Sequence, residues 1–279
     1  MANDETSTPG LGIALGGGAF RGAVHPGALK ALEEEGLQPN FLSGTSAGAM
    51  VAAFYAFGTP PEKIRELAHK LRWLRISSFT LPKLGLLSNA EIGNFMEEHL
   101  GDVLLENALI PIALVAADIR TGERVVFKTG SVAEAVMAST CIPGVFTPVE
   151  VDGRLLVDGA IVENVPVSVL NEMGARVSVA IDLGSGRYRT PQGIVEVLLN
   201  AFAIAVDQTT SRQTESADVL IRPDLTGYSL MDSGNSAKLY AEGFRSATHA
   251  AEVIHKATKD AEPSSWETLE QRFRKWLKA

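Results

Sequence analysis

The sequence predicts an α/β protein with a mainly parallel β-sheet covered by helices on both faces. Three observations carry this. Short apolar runs of strand type alternate with longer helical segments. Polar capping signals open several of those helices. Glycine-rich turns sit where strands end and helices begin, as parallel crossovers require.

The elements follow in order. Leu11 to Leu15 is a short buried-type strand, followed by Gly16-Gly17-Gly18. A helix starts near Gly22 and runs to Glu35, with Leu29 and Leu32 on one face. Pro26 fits because it falls in the first turn, and Gly36 is the stop. Asn40 to Ser43 is the second strand, and Ala49 to Tyr55 an apolar helix. Thr59-Pro60-Pro61 opens a helix through about Leu71. Ser88-Asn89-Ala90-Glu91 reads as a capping box for a helix to about Leu100. Ile110 to Ala117 is a buried strand, turned by Thr121-Gly122 into a partner from Arg124 to Lys128. Ser131-Val132-Ala133-Glu134 is a second capping box, for a helix ending before Pro143. Val149 to Val157 is a hairpin turned by Asp152-Gly153. Val177 to Ile181 and Val219 to Arg222 are further strands, and residues 236–256 a long helix.

No repeat, low-complexity block or composition break divides the chain. One domain is expected over residues 10–259, after a disordered tail at 1–9. A linker and an amphipathic C-terminal helix, capped by Ser264-Ser265-Trp266-Glu267, are expected over 260–279.

Composition narrows the function. Hydrophobic residues make up 46% and charged ones 21%, ordinary for a globular protein. A net charge of −8 argues against nucleic acid as the main partner, because phosphate binding needs a basic face. The single cysteine, Cys141, excludes an internal disulfide and a CxxC zinc site, and it reads as a buried small hydrophobe. The histidines (His25, His69, His99, His249, His255) form no HExxH or other close pair, so no metal and no cofactor is expected. Apolar runs near 49–57 and 110–117 are far shorter than the roughly 20 residues of a membrane helix. The polar, acidic N-terminus has no signal-peptide core, which makes the cytoplasm the default location.

Three constellations carry chemistry. Gly44-Thr45-Ser46-Ala47-Gly48 places a serine between two glycines at a strand-to-helix turn, the pattern of a nucleophile elbow. The following helix aims its free N–H groups and positive dipole end at any anion formed there. Gly16-Gly17-Gly18-Ala19-Phe20-Arg21-Gly22 exposes a row of backbone N–H groups, and two readings compete for it. One is a phosphate cradle, although Gly16, Gly18 and Gly22 give GxGxxxG, one residue longer than the dinucleotide fingerprint. The other is an oxyanion hole, with Arg21 holding the loop or favouring an anion. Asp158-Gly159-Ala160 ends an apolar strand, where desolvation raises a carboxyl pKa and makes a better base. Asp152 is the hairpin turn instead. A second turn is the plain alternative for Asp158. The order Ser46, Asp158, His249 also leaves a conventional α/β-hydrolase triad open; His25, close after the glycine loop, either orients that loop or, the favoured reading, is satisfied within its helix start.

Glycine loop, serine elbow and Asp-Gly-Ala, in that order, resemble the patatin-like phospholipases. Ala138-Ser139-x-x-x-Pro143, Phe146-x-Pro148 and Asn164-x-Pro166 reinforce the match, which spans about residues 11–170. The resemblance implies a three-layer α/β/α sandwich and metal-free hydrolysis of lipid acyl esters. It implies a Ser–Asp dyad, with Ser46 as nucleophile and Asp158 as base. The N–H groups of Gly17, Gly18 and Ala19 would form the oxyanion hole, supported by Arg21. Two departures stand out: Ala19 replaces the third glycine of the family loop, and Pro26 stands where an aliphatic residue is usual.

The implied partner is a lipid or acyl-ester substrate, with peripheral membrane contact through two segments. Trp73 to Leu87 (residues 72–88) reads as a flap. The C-terminal stripe of Trp266, Leu269, Phe273, Trp276 and Leu277, ringed by basic residues, fits an interfacial helix or docks on the protein's own body.

Overall fold

The computed structural model of the chain describes residues 10–71, 84–85, 87–184, 190–230 and 233–261. β1 (Leu11–Leu15) leads through a 3-10 turn, Ala19–Ala23, into α1 (Val24–Glu34). β2 (Phe41–Thr45) turns sharply into α2 (Ala47–Ala56), followed by α3 (Pro61–Leu71) and α4 (Ala90–Leu100). β3 (Ile112–Asp118) and β4 (Arg124–Phe127) form a hairpin before α5 (Val132–Ser139). β5 (Val149–Val151) and β6 (Arg154–Asp158) form the next, with Asp152 and Gly153 both at positive φ (50° and 73°), the geometry an Asp-Gly hairpin turn needs. α6 (Val167–Met173), β7 (Val177–Ile181), α7 (Ile194–Thr214), β8 (Val219–Ile221) and α8 (Ser236–Asp260) complete the series.

The strands make one sheet in the order β5-β6-β3-β2-β1-β7-β8, with β4 also on β3. Every pairing among β3, β2, β1, β7 and β8 is parallel. The two faces differ because side chains alternate along each strand. Leu11, Ile13, Leu15, Leu42, Leu114, Val179 and Ile221 face the larger core, filled by α1, α2, α4, α5 and α8. The other face carries Ala14, Ala113, Val115 and Ala180, small residues that let Val165, Val167, Val169 and Leu170 of the α6 region lie close. The result is the expected three-layer α/β/α sandwich.

Local differences have local reasons. Asn89, not Ser88, precedes the first turn of α4, and its amide donates to the Met137 carbonyl at 2.7 Å rather than capping. Ser88 Oγ accepts from Ala90 N–H, so no capping box forms there. Ser131 does cap α5, accepting from Glu134 N–H at 3.3 Å. α7 has no counterpart in the periodicity. Residues 194–206 carry apolar side chains almost all round, so no amphipathic stripe marks them. The tail at 1–9, most of the expected flap at 72–88 and the C-terminal helix lie outside the described residues. Among the described residues, no helix is long and apolar enough to cross a membrane.

β3 positions the site. Leu114 and Val115 pair with both β2 and β4, and Ala116 and Ala117 pair with both β4 and β6. A strand has two edges, so β4 holds one while β2 and β6 share the other. β2 is parallel to β3 and β6 antiparallel, so their C-terminal ends meet head-on. Thr45 is opposite Val115 and Asp158 is opposite the next residue, Ala116. Ser46 and Asp158 are thereby brought together from 112 positions apart in sequence.

Candidate active site

Ser46 occupies a conformation that most L-residues avoid, with φ 55° and ψ −123°. Such backbone strain costs about 1–3 kcal/mol and persists only where surrounding structure fixes it. Two glycines permit the turn. A Cβ at Gly48 would stand 2.0 Å from the Leu15 carbonyl oxygen, and one at Gly44 2.7 Å from that of Gly48. Ser139 braces the turn from α5. Its hydroxyl accepts from Ser46 N–H at 2.9 Å and donates to the Val115 carbonyl at 2.6 Å.

Ser46 Oγ donates to Asp158 Oδ2 at 2.6 Å. Asp158 is wholly buried, and its other oxygen accepts from Ala160 N–H at 2.9 Å. Burial is the main influence on this carboxyl. It drives the pKa up to about 7, against the opposing pull of the Ser46 and Ala160 hydrogen bonds. Asp158 therefore changes charge near neutral pH, where a general base is useful.

The glycine loop lies over Ser46. Much of its hydrogen bonding is spent within the protein: Gly16 N–H on Ile181, Phe20 N–H on Leu230 and Arg21 N–H on Gly18. Gly17 N–H, expected to face an oxyanion, is taken by both the side-chain and main-chain oxygens of Asn164, at 3.1 and 3.3 Å. The N–H groups of Gly18 and Ala19 have no partner among the described residues, and both residues line the cavity at Ser46.

Arg21 holds the loop from below. Its buried guanidinium donates to the carbonyls of Tyr228 (2.6 Å) and Gly184 (2.7 Å). His25 does more than satisfy its own helix. It is fully buried, and Nε2 lies 2.7 Å from the Gly16 carbonyl. Burial pushes its pKa down to about 4, so the ring is neutral at neutral pH with its proton on Nε2.

Ala19 sits at φ 49°, the left-handed region that the family glycine would enter freely. Ala19→Gly is expected to raise the unfolding free energy by about 0.5–1 kcal/mol, the strain relieved less the added freedom of the unfolded chain. A denaturant midpoint equal to or below the parent's would show that this position is not strained.

The cavity is also lined by Ile142, Ala160, Asn164 and, from α7, Leu199, Phe202, Ala203, Val206 and Asp207. Among the described residues, no histidine lines it; His249 and His255 are exposed on α8. Cys141 is buried, its thiol pushed up to about 12 by desolvation, as suits an inert core residue. Among the described residues, no cluster of His, Cys, Asp and Glu could hold a metal ion.

A family model, patatin-like phospholipase, matches residues 13–171, which include the glycine loop, the elbow and Asp158. The chain belongs to the patatin-like phospholipase family. Curated relatives sharing the family's sequence include an uncharacterized NTE family protein of Mycobacterium tuberculosis, 34% identical over 184 residues. That alignment covers 64% of this chain and 50% of the relative. Neuropathy target esterase sws of Drosophila melanogaster is 34% identical over 183 residues, 63% of this chain and 13% of that protein. Lysophospholipase NTE1 of Kluyveromyces lactis is 25% identical over 267 residues, 84% of this chain and 18% of that one. The chain thus spans half the length or less of these relatives.

Two solved structures share the fold. VipD from Legionella pneumophila superposes with a TM-score of 0.50 at 14% identity, covering 86% of this chain and 66% of that one. Human GIVD cytosolic phospholipase A2 gives 0.52 at 14% identity, covering 91% and 60%.

Sequence reasoning raised a loop-orienting role for His25 but favoured the plainer one, and it used Ser139 and Asn164 only as family markers. A hydroxyl or amide beside a predicted strand end was the available signal. Their partners are distant in sequence, so the signal alone could not assign them.

Proposed function

We propose that this protein is a serine hydrolase of lipid acyl esters, with Ser46 as nucleophile and Asp158 as general base. The observation that carries the reading is the 2.6 Å bond from Ser46 Oγ to a buried carboxylate, beside two loop N–H groups with no partner among the described residues. Asp158 accepts the hydroxyl proton as Ser46 Oγ bonds to the ester carbonyl carbon. The Gly18 and Ala19 N–H groups hold the oxyanion; one such donor is typically worth ~3 kcal/mol. As the C–O bond breaks, Asp158 returns the proton to the departing alkoxide. Water then attacks the acyl-enzyme, giving its proton to Asp158, and the acid leaves as Ser46 recovers its hydrogen. The oxyanion set is thus two donors rather than the three expected, with Arg21 and His25 as braces.

The rival readings have less support. A phosphate cradle needs a row of free N–H groups, and Gly16, Gly17, Phe20 and Arg21 have committed theirs. A triad needs a histidine in the cavity. The test is fluorophosphonate labelling, with the adduct mapped by mass spectrometry.

A lipid source for the ester is supported by α7. Its inner side lines the cavity, while Ile194 (64% exposed), Val197 (46%), Ala201 and Ile204 (46%) form an outward apolar stripe at helical spacing. The space beside Ser46, ≈ 60 Å³, accommodates an ester group and a few waters. The proposed course of the acyl chain is along α7, whose inner side lines the cavity, toward that stripe. Val197→Asp is expected to lower hydrolysis of vesicle phospholipid about tenfold, leaving a soluble short-chain ester within twofold. Equal effects on both substrates would remove the stripe from lipid contact.

A further inference from the structure

The glycine loop is held from an unexpected direction, by the far end of α7. Thr210 is buried on that helix and does not line the cavity. Its hydroxyl donates to the Val206 carbonyl at 2.9 Å. A hydroxyl has one hydrogen, so toward Asn164 Thr210 Oγ1 can only accept. Asn164 Nδ2 lies 3.2 Å away and supplies the donor. This fixes which way the buried amide faces: its NH2 group toward Thr210, its Oδ1 toward Gly17 N–H at 3.1 Å.

The backbone of Asn164 is fixed from the same helix. Gln213 Oε1 accepts from Asn164 N–H (2.8 Å) and Val165 N–H (3.3 Å), while its Nε2 donates to the Val162 carbonyl at 3.2 Å. Every polar atom of the relay is thus accounted for. Gly17 lies directly against the nucleophile's turn: a side-chain carbon there would stand 2.7 Å from Asn164 Oδ1 and 3.1 Å from Ser46 Cβ.

We propose that Thr210 and Asn164 are positioning residues that set the Gly17 peptide and so aim the next two N–H groups, of Gly18 and Ala19, at the oxyanion. The activity arm rests on the hydrolase reading above; the structural arm does not. Without the Thr210 acceptor, Asn164 Nδ2 is left without its partner and the amide loses the bond that holds Oδ1 on Gly17 N–H. The loop then loses its side-chain anchor while Ser46 and Asp158 remain bonded. Substrate binding along α7 is untouched, so the loss falls on kcat rather than KM.

Thr210→Val is close in shape and deletes the acceptor for Asn164 together with the hydroxyl's bond to the Val206 carbonyl, which lies within α7 itself. With a soluble p-nitrophenyl acyl ester, kcat is expected to fall about tenfold, with KM within twofold of the parent. Amide hydrogen exchange at Gly17, read by NMR, is expected to quicken at least tenfold. Thr210→Ser restores both. Should Thr210→Val fail to fold, Asn164→Asp, which keeps an oxygen for Gly17 but brings no donor for Thr210, is read in the same two assays with the same expected losses. Parent-like kcat and Gly17 exchange in a folded variant would overturn the proposal. So would a loss that Thr210→Ser fails to restore, which would assign the effect to packing. A parent protein inert toward esters, with Gly17 exchange still governed by Thr210, would overturn the hydrolase reading and leave the relay standing.

Discussion

Ser46→Ala is expected to lower hydrolysis of a p-nitrophenyl acyl ester by at least about 10⁴-fold and to abolish fluorophosphonate labelling. The magnitude follows from the architecture. With no second hydroxyl bonded to Asp158 among the described residues, only the loop donors and the binding walls could still assist water. The fold should survive. Alanine inherits the same positive φ, and Ser139 still accepts the backbone N–H at position 46. A circular dichroism spectrum and melting point near the parent's would therefore accompany the loss. His249→Ala and His255→Ala serve as the counter-test. Both side chains are exposed on α8, so each variant should retain activity within twofold. Retained labelling in Ser46→Ala, or a collapse of activity in either folded histidine variant, would sink the dyad reading.

The sequence carried the layers and the chemistry-bearing motifs, but not their assembly. Strand and helix alternation predicted the parallel sheet because crossover connections leave periodic traces. The serine elbow was legible because Gly44 and Gly48 are demanded by local sterics. That Asp158 is its partner depends on β2 and β6 meeting end to end on one edge of β3, a register no local pattern encodes. α7 escaped detection because it is apolar on the cavity side and on its outer stripe alike. The commitment of Gly17 N–H to Asn164 was equally hidden, since it depends on contacts across more than 140 residues of chain. His25 shows the same limit from the other side. Its position near the loop was visible, but its role follows from full burial and the 2.7 Å contact with Gly16.

Asp158→Asn is expected to do two opposite things at once: nearly abolish hydrolysis and stabilise the fold above neutral pH. The carboxyl stays protonated in the folded protein up to about pH 7, whereas in the unfolded chain it ionises near 3.8. Between those values the folded state binds more protons, so this group's contribution to stability falls as pH rises through the window. Above pH 7 the accumulated penalty is roughly 4 kcal/mol at 1.36 kcal/mol per unit. Asparagine never ionises, so the variant's advantage over the parent should grow from pH 4 to pH 7 and then level off. Chemical denaturation at pH 5 and pH 8 reads this directly. The same titration governs the parent's rate. Below about pH 7, kcat/KM should drop close to tenfold per pH unit as the base is protonated, with a plateau above. The two groups bonded to the Asp158 carboxyl, the Ala160 N–H and the Ser46 hydroxyl, are uncharged, so its own titration should set that limb. A flat profile from pH 5 to 8, or a variant whose stability tracks the parent's across the window, would mean that Asp158 is not the buried base. Agreement of both measurements would tie the cost of burying this carboxylate to the proton it takes from Ser46.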